Sequence, residues 1–370
     1  MAASARRLHR ANAGDRSLTT FKLDIRDVTK RYGEAVALLP TNLQVAQGEF
    51  LTLLGPSGSG KTTLLMMIAG LTETSGGQIL LDGRDITQTP AYRRDIGVVF
   101  QNYSLFPHLS VFENVAFPLR MRKCAEGQVK AAVQRSLDMV RLGHLAQRLP
   151  RELSGGQQQR VAFARAIVFD PQLVLMDEPL GALDKKLRDE LKLEIRKLHG
   201  ELKKTIVYVT HDQDEAMLLS DRVCLMNEAR VEQIAPPVAL YERPRTRFAA
   251  GFVGESNLIQ GTVRGGAIAV GQGMLSTAHA DLLPVEGRPV TVLVRPERLR
   301  IVAVPDAAAL RGRVVDVIDL GAVRRLTIAG EHGDTLTMTM LGGDQPVSPG
   351  ATIALAVAAN DVVPLAEDAS

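Results

Sequence analysis

The residues able to do chemistry fall in three short segments. Residues 55–63 read GPSGSGKTT, residues 153–160 read LSGGQQQR, and Asp177 with Glu178 closes the apolar run LVLM at 173–176. In the first segment Gly55, Gly58 and Gly60 lack Cβ atoms, so the backbone can wrap closely around phosphate oxygens. Lys61 can reach the β and γ phosphates of a triphosphate, and Thr62 can offer its hydroxyl to Mg²⁺. The loop follows a predicted strand and opens a predicted helix, the context in which its glycine pattern carries meaning. Asp177 falls at the carboxyl end of a buried strand, the edge where α/β sheets bind ligands, and a carboxylate there can hold Mg²⁺. Glu178 comes next. Side chains alternate along a strand, so it is expected to point elsewhere and polarise an attacking water. In the last segment Ser154 is a good helix N-cap and Gly155 and Gly156 allow close backbone approach, giving a second anion-binding helix start. Two chains packed head to tail would grip a single nucleotide from both sides.

The elements that must position these residues are legible in outline. FLTLLG at 50–55, LVLMD ending at Asp177 and TIVYVTH ending at His211 are apolar runs suited to strands covered on both faces. TTLLMMIAGL after Lys61 reads as a helix, and strands alternating with helices predict a parallel sheet. Residues 21–46 show short β-like runs. From 104 to about 165 the strand pattern gives way to helical spacing, as in AAVQRSLDMVRLGHL, which predicts a helical subdomain. Residues 185–199 form an amphipathic surface helix with Leu187, Leu191, Ile195 and Leu198 on one face. Beyond about 244, short strands with glycine turns predict a small all-β barrel or sandwich. The expected organisation is a mobile tail over 1–20, an ATPase domain over 21–243 and a β domain over 244–370.

Composition bounds the alternatives. The 370 residues are 45% hydrophobic and 23% charged, ordinary for a globular chain of two domains. A net charge of +3 does not make the strong basic field of a nucleic-acid surface. Two widely spaced cysteines, Cys124 and Cys224, indicate no disulfide framework and suit a reducing cytosol. No run reaches the length of a spanning helix, and the basic N-terminus lacks the apolar stretch of a secretory signal.

Taken together, the motifs resemble the ATPase subunit of ATP-binding cassette (ABC) transporters across roughly residues 23–253. GPSGSGKTT, with Pro56, Ser57, Ser59 and Thr63 beside the residues already named, resembles the family's Walker A loop; LVLMDE resembles Walker B with its catalytic glutamate; LSGGQ, including Gln157, is the family signature. The resemblance implies further roles. Tyr32 in KRYGE matches the aromatic residue that stacks on adenine. Gln101 in VVFQNYSLFPH matches the glutamine that senses Mg²⁺ and the γ-phosphate. LGALD, ending at Asp184, matches the D-loop, with Gly181 where serine is common. His211 matches the switch histidine.

The implied fold is an α/β P-loop NTPase with a helical subdomain, followed by a TOBE-like barrel. The implied activity is Mg-ATP hydrolysis by a homodimer, with Glu178, His211, Lys61 and Gln101 as catalytic residues. The partners would be two integral-membrane permease subunits and, indirectly, a periplasmic or extracellular solute-binding protein. No nucleic acid is expected. Such a chain sits peripherally on the cytoplasmic face of a bacterial inner membrane, and residues 103–121 would dock the permease. EPLGALDKKLR, IAPPVALYERP and FVGESN look most like spermidine/putrescine importers. Ferric-iron, sulfate and sugar or glycerol-phosphate importers share much of this wording. A non-transport ABC ATPase of DNA repair or translation is the alternative of another class, but its coiled-coil insertion, zinc cysteines or second cassette are not seen.

Overall fold

The computed structural model describes residues 21–181, 183–271, 273–302, 310–331, 333–343 and 346–366. The proposed tail at 1–20 lies outside them. The central sheet has six strands in the order β10 (Arg230–Ala235), β9 (Arg222–Asn227), β3 (Phe50–Leu54), β8 (Ile206–Thr210), β7 (Leu173–Asp177) and β6 (Ile96–Val99). All neighbours run parallel except β10, which is antiparallel to β9. Every residue of β3, β7 and β8 is buried. That explains their unbroken apolar runs, because helices cover both faces of a parallel sheet. Helix α1 (Lys61–Ala69) buries Leu64, Leu65, Met67 and Ile68 against one face.

Residues 21–46 are not a set of short strands. They form two long ones, β1 (Leu23–Tyr32) and β2 (Ala35–Val45), in a separate antiparallel sheet with β4 (Gly76–Leu81) and β5 (Arg84–Asp85). Register shifts after Ile25, Val28 and Lys30, with Asp27 at φ 47°, break the period-two alternation into fragments. This sheet packs its inner face, Leu23, Ile25, Leu43 and Ile79, into the same core as α1.

Helices α2 (Val111–Met121), α3 (Glu126–Met139) and α4 (Gly155–Ile167) lie between β6 and β7 in the chain. Val115, Val129, Val133, Leu137 and Val161 form their shared core, which continues into Val174 and Met176 of β7. Fully buried Asn114 holds the preceding loop: its Oδ1 accepts from Phe106 N–H and its Nδ2 donates to the carbonyls of Phe106, Leu109 and Ser110. Helix α5 (Lys185–Leu202) is longer than its amphipathic pattern predicts. It buries Leu191 and Ile195 and leaves Leu187 and Leu198 partly covered.

After α6 (Gln213–Leu219), two short helices, α7 (Pro237–Glu242) and α8 (Arg247–Phe252), straddle residue 244. The remaining strands make two five-stranded antiparallel sheets. One has the order β13 (Gly273–Leu275), β12 (Ala267–Val270), β11 (Asn257–Arg264), β14 (Pro289–Val294) and β20 (Val363–Leu365). The other runs β15 (Arg300–Val302), β19 (Thr352–Ala356), β16 (Leu310–Asp319), β17 (Val323–Gly330) and β18 (Thr335–Leu341). Ile259, Val292, Leu326, Ile328 and Leu355 bury a common core between them. Asn257 pins the edge strand β18 to β11: its amide donates to Thr337 O (2.8 Å) and accepts from Thr337 N–H (2.7 Å). Both cysteines are free thiols; burial in β9 pushes Cys224 up to about 12. Among the described residues no helix is long and apolar enough to cross a membrane.

Candidate functional site

The carboxyl ends of four neighbouring strands deliver the candidate residues to one edge of the central sheet, where open α/β sheets present their ligand crevice. β3 leads into the 55–63 loop, β6 leads to Gln101, β7 ends at Asp177 and β8 ends one residue before His211.

The loop is shaped by its glycines. A Cβ on Gly55 would stand 2.1 Å from Met226 O, so no other residue fits without moving β9. Gly60 caps α1 in the left-handed region at φ 94°, with no side chain bonded to the first turn and no acidic residue in it. The N–H groups at that helix start are thus left for a ligand, and the helix dipole favours an anion there. Lys61 is 5% exposed. Its Nζ donates to Gly55 O (2.9 Å), Pro56 O (2.8 Å) and Ser59 Oγ (3.3 Å). Burial lowers its pKa, opposed by the nearby Glu178 and Asp177 carboxylates. Thr62, on the open side of the helix, donates from Oγ1 to Asp177 Oδ1 at 3.0 Å. Burial raises the Asp177 pKa, and the Thr62 hydrogen bond counters it. A hydroxyl and a carboxylate side by side form a hard oxygen donor pair, which suits Mg²⁺ with water completing its shell. Ser57, Gly58 and Thr63 lie in the same loop and helix start, where a Cβ on Gly58 would meet nothing within 4 Å.

Glu178 is not aimed by strand alternation. β7 stops at Asp177, and Glu178 takes a left-handed φ of 42°. That conformation costs a non-glycine residue about 1–2 kcal/mol. Its N–H donates to Val209 O (3.0 Å), which anchors the turn to β8. The turn places the carboxylate between two partners: His211 Nδ1 at 3.2 Å from Oε1 and Gln101 Nε2 donating to Oε2 at 3.3 Å.

Tyr32 sits at the tip of the β1–β2 hairpin. It is 56% exposed, and Lys30 Nζ lies 4.7 Å from its ring centroid. Ser154 caps α4: its hydroxyl accepts from Gln157 N–H and Gln157 Oε1 accepts from Ser154 N–H. Gly155 and Gly156 allow this turn to lie against the entry and first turn of α5, since Cβ atoms there would meet Leu183 at 2.9 Å and Leu187 at 3.1 Å. Asp184 caps α5 through Leu187 N–H (3.0 Å). Among the described residues no hydrogen bond or ion pair joins the Ser154 turn or Asp184 to the 55–63 loop. Within one chain, the residues expected to share a nucleotide therefore divide into two groups.

Some residues that shape the site escaped the sequence reading. Arg188 donates to Leu183 O (3.0 Å) and pairs with Asp212 Oδ2 (3.4 Å), joining the α5 entry to the turn after His211. Glu215, 3% exposed, accepts from Tyr208 Oη (2.8 Å) and Thr210 Oγ1 (2.7 Å) on one oxygen. Asp212-x-x-Glu215 is a helix-start signature that could have flagged the second of these.

A family model described as ABC transporter matches residues 38–181, and one described as TOBE domain matches residues 292–365. Among curated relatives, the spermidine/putrescine import ATP-binding protein PotA of Frankia alni is 48% identical over 337 residues, covering 85% of this chain and 72% of that protein. The sulfate/thiosulfate import ATP-binding protein CysA 1 of Chromobacterium violaceum is 46% identical, covering 83% of this chain and 86% of that protein. The solved structure of cbiO1 from Clostridium perfringens, part of the ABC transporter complex cbiONQ, aligns with a TM-score of 0.56 at 31% identity, over 63% of this chain and 93% of that one. The chain belongs to the ABC transporter family, as one of its ATP-binding, ATP-hydrolysing subunits.

Proposed function

We propose that this chain energises the import of polyamines, spermidine or putrescine, as the ATPase subunit of a membrane-bound importer. The convergence of Lys61, the Thr62–Asp177 pair and the Glu178–His211 pair on one sheet edge carries the ATPase half of this reading. Lys61 and the N–H groups of the α1 start hold the triphosphate. Thr62 and Asp177, with Gln101 nearby, would hold Mg²⁺, which would neutralise charge on phosphate oxygens. Glu178 orients the attacking water and takes up its proton. His211, held against Glu178, turns toward the γ-phosphate and stabilises developing charge there. Tyr32 stacks on the adenine. The separation of the Ser154 turn and Asp184 from the loop within one chain supports a head-to-tail homodimer, in which Ser154, Gly155, Gly156 and Gln157 close over the partner's nucleotide.

Phe117 and Met121 on α2 are exposed, and the Phe117 ring meets Phe106 at 4.6 Å. This apolar surface supports docking of a helix of a permease subunit, with the chain on the cytoplasmic face of the membrane. A solute-binding protein outside the membrane delivers the cargo. The polyamine assignment is supported by relatives named for spermidine/putrescine import at 40–48% identity. The sulfate/thiosulfate relative at 46% favours sulfate as the second reading. Uptake of labelled putrescine, spermidine and sulfate by cells with and without the chain separates them. Loss of polyamine uptake alone is expected, and loss of sulfate uptake alone would overturn the cargo.

A further inference from the structure

We propose that Gln213 is a positioning residue that ties the His211 turn to the segment leading into the C-terminal β domain, so that nucleotide state and β-domain position are coupled. The inference rests on the proposed contact of His211 with the γ-phosphate. Two residues after His211, Gln213 opens α6 and spends both polar atoms on that segment. Its Nε2 donates to Phe252 O, and its Oε1 accepts from Gly254 N–H at 2.9 Å. Neither partner belongs to the central sheet. Phe252 ends α8, and Gly254 lies three residues before β11.

The turn itself is firmly held on the ATPase side. Asp212 N–H donates to Thr210 Oγ1 (3.0 Å), and Asp212 Oδ1 accepts from Glu215 N–H (3.1 Å). A displacement of α6 therefore moves the His211 backbone with it.

The segment is held equally firmly from the other side. Arg295, directly after β14, is 5% exposed. Its guanidinium donates to Tyr241 O (2.6 Å), Ala250 O (3.2 Å), Glu255 O (3.0 Å) and Ser256 Oγ (2.7 Å), and lies 4.0 Å from the Tyr241 ring centroid. Gly254, at φ 82°, could not carry a side chain here, because a Cβ would stand 2.6 Å from Tyr241 Cε2. A buried fork spanning several carbonyls has one good geometry, so the β domain and residues 250–256 move as a unit. Gln213 is the hydrogen-bonded link from that unit to the start of α6, two residues after His211, beside the apolar packing of Ala249 and Val253 against Leu54 and Ala216. If the β domain shifts, α6 follows or the two part-buried Gln213 hydrogen bonds break.

The test uses the full chain with Mg-ATP. Amide hydrogen exchange over residues 250–256 is measured with and without nucleotide, in the Glu178→Gln background so that the bound state persists. Nucleotide affinity is titrated separately. Binding is expected to change exchange in this segment, and Gln213→Ala is expected to abolish that change while leaving affinity intact. In the Glu178 chain, Gln213→Ala is expected to lower kcat roughly twofold to thirtyfold, the range found for residues along coupling networks, with KM unchanged. Gln213→Glu keeps the acceptor for Gly254 N–H and is expected to restore part of the exchange response. Absence of nucleotide binding would overturn the functional reading beneath. Tight binding with no response over 250–256, or a response that survives Gln213→Ala, would overturn the coupling alone.

Discussion

Two helix starts in this chain present glycine-rich turns to solvent, and they are built differently. At α1 the cap is Gly60, with no side chain on the first turn, and the loop closes around a buried lysine. At α4 the cap is Ser154, exposed and engaged with Gln157 in a reciprocal capping box. The first has its own cation in Lys61 and, bonded to Thr62, its own carboxylate in Asp177. The second has an uncharged hydroxyl and two glycines resting on Leu183 and on α5. A helix start that must bind a highly charged ligand alone is left uncapped and supplied with charge. One that adds a last contact to a ligand already held elsewhere can be capped and stable without it.

That contrast can be broken or sharpened by substitution. The largest effect is expected from Glu178→Gln, which keeps the α1 cradle whole but removes the base. Steady-state phosphate release should fall roughly a hundredfold to ten-thousandfold, the usual contribution of a positioned general base, with nucleotide binding retained. Near-normal turnover would remove Glu178 from its role. Tyr32→Ala should weaken ATP binding by single chains through lost stacking, about 1–3 kcal/mol or some fivefold to over a hundredfold in Kd by titration. Ser154→Ala should leave that single-chain affinity untouched yet cost about 1 kcal/mol of stability through the lost cap, read as a lowered Tm. Equal losses of single-chain affinity in Tyr32→Ala and Ser154→Ala would erase the distinction between the two helix starts.

The smallest effect concerns Glu215, whose pKa burial raises above its ordinary 4.5. A raised carboxylate pKa favours the folded state at low pH. The stability of the wild type relative to Glu215→Gln should be greatest below 4.5 and fall as pH rises through the raised value. Denaturant titrations across that window check the sign, and a difference that grows with pH would contradict it.

How much of this was legible in the sequence follows from what each part demands. Phosphate binding demands glycines beside a lysine and a hydroxyl, and metal binding a carboxylate at a strand end. Such demands fix residue types, so Gly55, Lys61, Thr62 and Asp177 stand out. The parallel core strands were equally plain, because burial on both faces leaves an apolar run. The β1–β2 sheet was obscured by bulges that break its alternation. The aim of Glu178 was misjudged because a left-handed turn, not the strand pleat, sets it. Arg188 and Gln213 escape a sequence reading for a related reason: their partners are backbone groups and side chains brought close by tertiary folding, and no local pattern marks them; Glu215 is marked only by the helix-start spacing from Asp212.

Whether one nucleotide is completed by two chains is tested most directly by mixing two disabled partners. Lys61→Ala removes the cation at α1, and Ser154→Arg places a long side chain at the exposed α4 turn. Each variant alone should be inert. Their mixed dimer contains one composite site with Lys61 from one chain and Ser154 from the other, and should hydrolyse ATP. Mixed dimers that form but remain inert, beside wild-type monomers that hydrolyse ATP at full rate, would contradict the shared site.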